Sequence, residues 1–197
     1  ISLASTTLIW GVSGNLRVIV FPWAAVALGY STTQASNLAG VVVFGTAAGA
    51  VVASMTMRLE RATNVIVLGM VMGLLLFGLN FITNVYVGAP FLIILGAVVG
   101  YMVVPMNALL QHRGHNLMGA GRSIAVQNFN EQACILALGA AYTGMTKGGL
   151  SAFAAITVFG LGVTGLMWMI RRWHARNCIE HREEVERLLA IARSDRH

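Results

Sequence analysis

The fold is decided by one long uncharged stretch, residues 62–112, which reads ATNVIVLGMVMGLLLFGLNFITNVYVGAPFLIILGAVVGYMVVPMNALLQH. It contains no Asp, Glu, Lys or Arg, and about 18 to 20 apolar residues are enough to cross a bilayer as a helix. The stretch is therefore long enough for two spans, with turn residues between positions 83 and 90. A second uncharged run, residues 18–57, is also long enough for two.

The composition of the whole chain agrees with this interpretation. Of its 197 residues, 57% are hydrophobic and 10% are charged, and the mean hydropathy is +0.74. Soluble domains carry about 25% charged residues, so an ordinary water-soluble fold is excluded. We therefore predict an all-α membrane protein, built as a bundle of six transmembrane helices.

Short polar breaks separate the six predicted spans, which run over residues 3–29, 33–57, 63–84, 89–112, 120–145 and 150–172. Together they form one predicted domain, residues 1–172. Residues 173–197 are predicted to form a cytoplasmic amphipathic tail, in which Glu183 and Arg187 have the i,i+4 spacing of a helical ion pair.

The basic residues indicate how the bundle is oriented. The positive-inside rule assigns the arginine-rich side to the cytoplasm, and an even number of spans then places both ends of the chain there. The net charge of +6 is explained in this way and not by nucleic-acid binding. Because the chain starts at Ile1 inside an apolar segment, we expect a longer protein. The residues on the basic side are Arg58, Arg61, Arg113, Arg122, Arg171, Arg172 and Arg176, against Lys147 on the other.

Arg17 and Glu131 are the two charged residues predicted to lie well inside spans. An ionisable residue within the bilayer is costly and by default indicates function. At 1.5 Å per residue, Arg17 lies roughly 21 Å and Glu131 roughly 16 Å from the start of its own span. We therefore expect matched depths and a pair that a transport cycle could break and remake; a static pair that holds the bundle together is the alternative.

Further polar residues surround these charges. Gln127 and Asn128 precede Glu131 by one helical turn and predict a polar face that lines a cavity or bonds to another helix. Pro105, followed by Asn107, predicts a kink with a polar lining.

Pairs of glycines four residues apart predict close packing between helix backbones. These pairs are Gly45 with Gly49, Gly69 with Gly73, and Gly96 with Gly100.

The chain has no Ser/His/Asp arrangement, no catalytic carboxylate pair and no phosphate-cradling glycine loop. Cys134 and Cys178 have no metal-ligand spacing. We therefore expect no enzymatic activity, no cofactor and no metal site.

Several motifs resemble those of the bacterial lysophospholipid transporters. They are the run VVPMNALLQ at 103–111, GAG at 119–121, IAVQN at 124–128 before Glu131, LIWG at 8–11 and WAAVALG at 23–29. The resemblance extends to about Arg172.

This resemblance implies helices seven to twelve of a twelve-helix major facilitator fold, with an N-terminal six-helix half as the missing partner. It implies a flippase that moves lysophospholipids, such as lysophosphatidylethanolamine, from the outer to the inner leaflet of the bacterial inner membrane, where an acyltransferase re-acylates them. Arg17 and Glu131 match a charged set in the cavity, and Arg17 with Asn107 would hold the head group. Membrane lipid is a further expected partner, and nucleic acid is not.

Two other functions stay open on the sequence. A proton-coupled exporter of drugs or small solutes would use Glu131 to carry its proton. A structural membrane subunit would use the same charges only to hold its helices together.

Overall fold

The computed structural model describes residues 2–57 and 66–180, and within these ranges the chain forms six α-helices and no strand. The prediction of an all-α membrane bundle is confirmed. A short 3₁₀ turn, Leu79–Phe81, follows the third helix. The helices are α1 (Ser2–Leu28), α2 (Thr32–Thr56), α3 (Ile66–Gly78), α4 (Val85–Met118), α5 (Ala120–Lys147) and α6 (Ala152–Glu180).

Four of the helices in the described ranges are long and apolar enough to cross a membrane, namely α1, α2, α4 and α6. The apolar helix over Ile66–Phe81 is shorter. Helix α5 has 28 residues, which is ample length, but the amide and charged side chains of its first half lower its hydropathy. Composition alone therefore does not identify α5 as a span, although α5 contributes Gln127 and Glu131 to the interior of the bundle.

The sequence predicted a polar break between the spans that end at residue 112 and begin at residue 120, but most of this interval is helical. Helix α4 continues through Pro105 and on to Met118. The helix ends before Gly119, whose φ is 82°. Glycine has no Cβ and adopts this left-handed backbone at little cost, so it ends the helix where the charged residues before it do not.

Helix α6 also runs further than predicted, without interruption past Arg172 to Glu180. The first residues of the expected tail are thus part of the last helix. Residues 181–197, which include Glu183 and Arg187, lie outside the described residues, as do Arg58 and Arg61.

Close contacts join the helices in pairs that are not neighbours in sequence. A Cβ on Gly49 would meet the carbonyl of Ala97, so α2 packs on α4 backbone to backbone. A Cβ on Gly73 would lie 2.6 Å from the carbonyl oxygen of Gly160, so α3 packs equally closely on α6. The predicted close approach of helix backbones is confirmed for five of the six glycines, whereas Gly69 faces the side chain of Met167.

Helix α1 lies in the middle of the bundle, since Ile9, Val12, Ile19 and Trp23 have no exposed surface. The indole Nε1 of Trp23 donates to the carbonyl of Leu79 at 2.9 Å and fixes the end of α1 against the end of α3. One face of α1 is therefore buried against the other helices.

The third pair is α1 with α5. Gly11 faces Cys134, Gly14 faces Ile135, and Asn15 donates from Nδ2 to the carbonyl of Ile135 at 2.9 Å. The residue numbers rise together along this contact, so the two helices are parallel, with each α1 residue level with the α5 residue about 122 positions later.

Candidate functional site: a polar cluster between three helices

Gln127 is the centre of a buried hydrogen-bonded cluster. Its Nε2 donates to Oε1 of Glu131 at 2.7 Å and to Oδ1 of Asn107 at 3.0 Å. Trp10 donates from Nε1 to the same Asn107 oxygen, at a longer 3.5 Å. Gln127 is 5% and Glu131 is 7% exposed, so the cluster lies inside the bundle.

Three helices contribute to this cluster. Gln127 and Glu131 are four residues apart on α5 and therefore lie on one face, as the sequence predicted. Asn107 comes from α4, two residues after Pro105, and Trp10 comes from α1. The structure thus brings together three of the five residues predicted for the site.

Hydrogen-bond acceptors outnumber donors in the cluster. Both polar hydrogens of the Gln127 amide are directed at oxygens, and its Oε1 is buried without a hydrogen-bond partner in the described ranges. The Thr7 hydroxyl, one turn before Trp10 on α1, is buried there without one as well. A ligand group that donates hydrogen bonds, such as a hydroxyl or an ammonium, complements such a surface.

Asn128 lies outside the cluster. Its side chain is exposed while that of Gln127 is buried. Neighbouring residues on a helix point about 100° apart, so only one of the two can face Asn107.

Arg17 is exposed and lines a groove between α1 and α2, away from the cluster. No ion pair joins it to Glu131 within residues 2–57 and 66–180. The contact between α1 and α5 places Arg17 level with about residue 139, eight residues or roughly 12 Å beyond Glu131.

The expectation of matched depths is therefore wrong. Counting from the start of each span assumed that both spans start at one level. Helix α5 begins at Ala120, which lies about one turn before the level of Ser2, the first described residue of α1. This offset between the starts of the two helices adds to the difference between the two counted depths, roughly 21 Å for Arg17 and 16 Å for Glu131.

Two polar residues of α1 did not emerge from sequence reasoning as site residues. Trp10 was noted only within a motif, because an indole in an apolar segment is ordinarily packing. Asn15 is 3% exposed and bonds to the carbonyls of Gly11 and Ile135. An uncharged amide in the middle of an apolar run was the signal that could have identified it.

Fold and site together define a polytopic α-helical membrane protein with a buried polar cluster. Comparison with curated proteins shows what it is similar to. It is 34% identical over 87% of its length to "Lysophospholipid transporter LplT" of Cronobacter sakazakii and of Enterobacter sp., and 32% identical over 88% to the protein of that name in Escherichia coli. The resemblance to bacterial lysophospholipid transporters is thus confirmed.

The chain spans about 44% to 45% of the length of these curated relatives. No family model matches the chain. No solved structure matches it either.

Proposed function

We propose that this chain is part of a membrane transporter for lysophospholipids. The observation that carries the proposal is the Gln127 cluster, a polar, acceptor-rich site inside an apolar bundle, in a chain that is similar to lysophospholipid transporters over most of its length. A lysophospholipid head group carries hydroxyl or ammonium donors on one side and a phosphate on the other. Such a head group needs both kinds of polar site when it leaves the water.

The two polar sites suit the two parts of the head group. Arg17 has a planar guanidinium that can bind phosphate oxygens through two parallel hydrogen bonds. Gln127, Glu131 and Asn107 accept hydrogen bonds from hydroxyl or ammonium groups. Asn128 is exposed beside them and would contact substrate rather than stabilise the cluster.

The separation of the two sites suggests successive steps. Arg17 and the cluster are roughly 12 Å apart along the helix axes, which is further than one head group extends. A head group would therefore move from one site to the other while its single acyl chain stays in an apolar environment. Glu131 then accepts hydrogen bonds from the hydroxyl or ammonium group of the substrate. It does not have to pair with Arg17 when the phosphate leaves.

The direction and the setting are also proposed. The transporter moves lysophospholipid from the outer to the inner leaflet of the bacterial inner membrane, where an acyltransferase re-acylates it. The arginine-rich side, with the C-terminal end of the chain, faces the cytoplasm. The chain supplies helices seven to twelve of a major facilitator fold and works with an N-terminal six-helix half.

The test is uptake of radiolabelled lysophosphatidylethanolamine into the inner leaflet of spheroplasts, with the complete gene product. Wild type is compared with Arg17→Ala and Glu131→Ala at equal amounts of inserted protein. Loss of uptake in both variants supports the proposal. Normal uptake in Arg17→Ala would show that Arg17 does not hold the phosphate.

A second candidate is a proton-coupled exporter of drugs or small solutes. It is favoured by one observation, a buried carboxylate, Glu131, hydrogen-bonded to an amide within the bundle. A dependence on the pH gradient that Glu131→Gln abolishes would support this function over the flippase. A purely structural subunit would instead leave all transport unchanged in both charge-removing variants.

A further inference from the structure

A groove of about 360 Å³ lies between α1 and α2. Helix α1 lines it with Arg17 and three neighbours, and α2 lines it with a longer row of residues. The lining residues are Ser13, Leu16, Arg17 and Val20 on α1, and Ala39, Val42, Val43, Thr46, Ala47 and Ala50 on α2.

The α2 wall of the groove is apolar and built mainly from small side chains. Ala39, Val43 and Ala47 follow one another at four-residue spacing and so form one continuous row. Alanine fills little of the space beside the helix. Val43 is 57% exposed, so the groove is open on the outside of the described bundle.

Arg17 lies at the middle of this apolar surface. The apolar span that contains it runs from Leu3 to Leu28, so its charge is near the centre of the membrane segment. In residues 2–57 and 66–180, no side chain forms an ion pair or a hydrogen bond with it. A guanidinium in a bilayer is costly without an anion, and phosphate is the anion that its planar fork fits best.

Arg17 lies between the two ends of the groove, and both ends have apolar walls. Helices α1 and α2 are joined by a three-residue connection and run antiparallel, so Ser13 lies level with Thr46 and Val20 lies level with Ala39. Ala47 and Ala50 lie beyond Thr46, on the Ser13 side of Arg17, and the Thr46 hydroxyl donates to the carbonyl of Val42 at 2.9 Å. The apolar row of α2 thus continues on both sides of the charge.

We propose that this groove holds the single acyl chain of a lysophospholipid along the row of Ala39, Val43 and Ala47, with the phosphate at Arg17. The proposal rests on the proposed function and adds to it the path of the acyl chain. One cation beside a continuous apolar row matches an anionic amphiphile with one chain. A free phosphate or a small polar solute would leave the apolar row unused.

Two neighbouring alanines of α2 provide a matched test. Ala47 lines the groove, whereas Ala48 is equally classed as exposed but lies outside the lining. Ala47→Trp fills the groove with an indole, and Ala48→Trp places the same indole about 100° further round the helix, outside the lining. In the complete gene product, we expect Ala47→Trp to lower lysophosphatidylethanolamine uptake about tenfold and Ala48→Trp to change it less than about twofold, per inserted protein.

Photo-crosslinking locates the acyl chain directly, and it does not require that a variant folds. The probe is lysophosphatidylethanolamine with a diazirine at the end of its acyl chain, added to membranes that contain the wild-type protein. We expect the label on the residues of α1 and α2 that line the groove, with competition by unlabelled lysophosphatidylethanolamine. If another part of the protein fills the groove, the label will lie elsewhere and Ala47→Trp will lower the amount of inserted protein.

The outcomes separate this proposal from the proposed function. If wild-type protein takes up no lysophospholipid, the proposed function itself fails. If wild type transports normally but both tryptophan variants transport alike, or the acyl-chain label lies away from α1 and α2, the function stands and the groove proposal is overturned.

Discussion

The amide of Gln127 on α5 donates to Oδ1 of Asn107 on α4 at 3.0 Å, and this bond joins the two helices inside the bundle. The same nitrogen donates to Glu131 at 2.7 Å. These two bonds determine which way the amide points and leave its oxygen as a buried acceptor. The orientation of one side chain therefore sets the hydrogen-bonding character of the whole site.

Replacement of Gln127 by Leu should destabilise the bundle. It removes both donated hydrogen bonds and leaves the Glu131 carboxylate and the Asn107 oxygen short of a partner, at a cost of about 1 to 3 kcal/mol for a buried group. Asn128→Leu, at the exposed next position, is the control and should leave the melting temperature in detergent unchanged. Equal melting temperatures for the two variants would mean that the cluster contributes nothing to stability.

Glu131→Gln should keep the shape of the cluster while it removes a carboxylate, because the new amide oxygen still accepts from Gln127. We expect Glu131→Gln to insert normally into the membrane. We expect lysophospholipid uptake by the wild-type protein to continue when a protonophore dissipates the pH gradient. Uptake is measured with and without the protonophore in both proteins. A gradient dependence of the wild type that is lost in Glu131→Gln would favour the proton-coupled exporter.

Arg17→Lys should retain part of the activity, and Arg17→Gln should retain much less. Lysine keeps the positive charge but offers a point charge in place of the planar fork that binds two phosphate oxygens. Uptake is measured over a range of lysophosphatidylethanolamine concentrations, and we expect Lys to raise the half-saturating concentration before it lowers the maximal rate. If the Arg17→Gln protein transports as well as the Arg17→Lys protein, a charge at this position is not needed.

Gly49→Leu should disrupt the contact between α2 and α4. Even a Cβ at this position would meet the carbonyl of Ala97, which is backbone and cannot move aside as a side chain can. Gly40→Leu is the control on the same helix, since a Cβ there has no neighbour within 4 Å. The yield of folded protein in detergent should fall for Gly49→Leu alone, and equal yields would contradict the observed packing.

Much of the fold could be predicted from the sequence, because hydropathy reports directly on membrane spans. The break at residues 29–31 and the close packing of the glycine pairs both follow from local chemistry. The ends of α4 and α6 did not, since charged residues at the end of a span can continue a helix into water. Only Gly119, with its left-handed backbone, ends α4.

The candidate site was predictable only in part. Gln127 and Glu131 share a face on one helix, and helical spacing is enough to find such a pair. Asn107 and Trp10 join them through the packing of three helices, which spacing within one segment does not specify. The depth of Arg17 against Glu131 depends on how α1 and α5 are offset, and that offset is set by contacts at Gly11, Gly14 and Asn15.

The pairing of α1 with α5, α2 with α4 and α3 with α6 has a consequence for biogenesis. Each helix finds its main partner only after at least one other helix has been synthesised, so consecutive hairpins cannot mature one by one as they leave the ribosome. Asn15 in particular is synthesised long before the carbonyl of Ile135 that accepts its hydrogen bond. The main contacts of α1, α2 and α3 can therefore form only after α4, α5 and α6 have been synthesised.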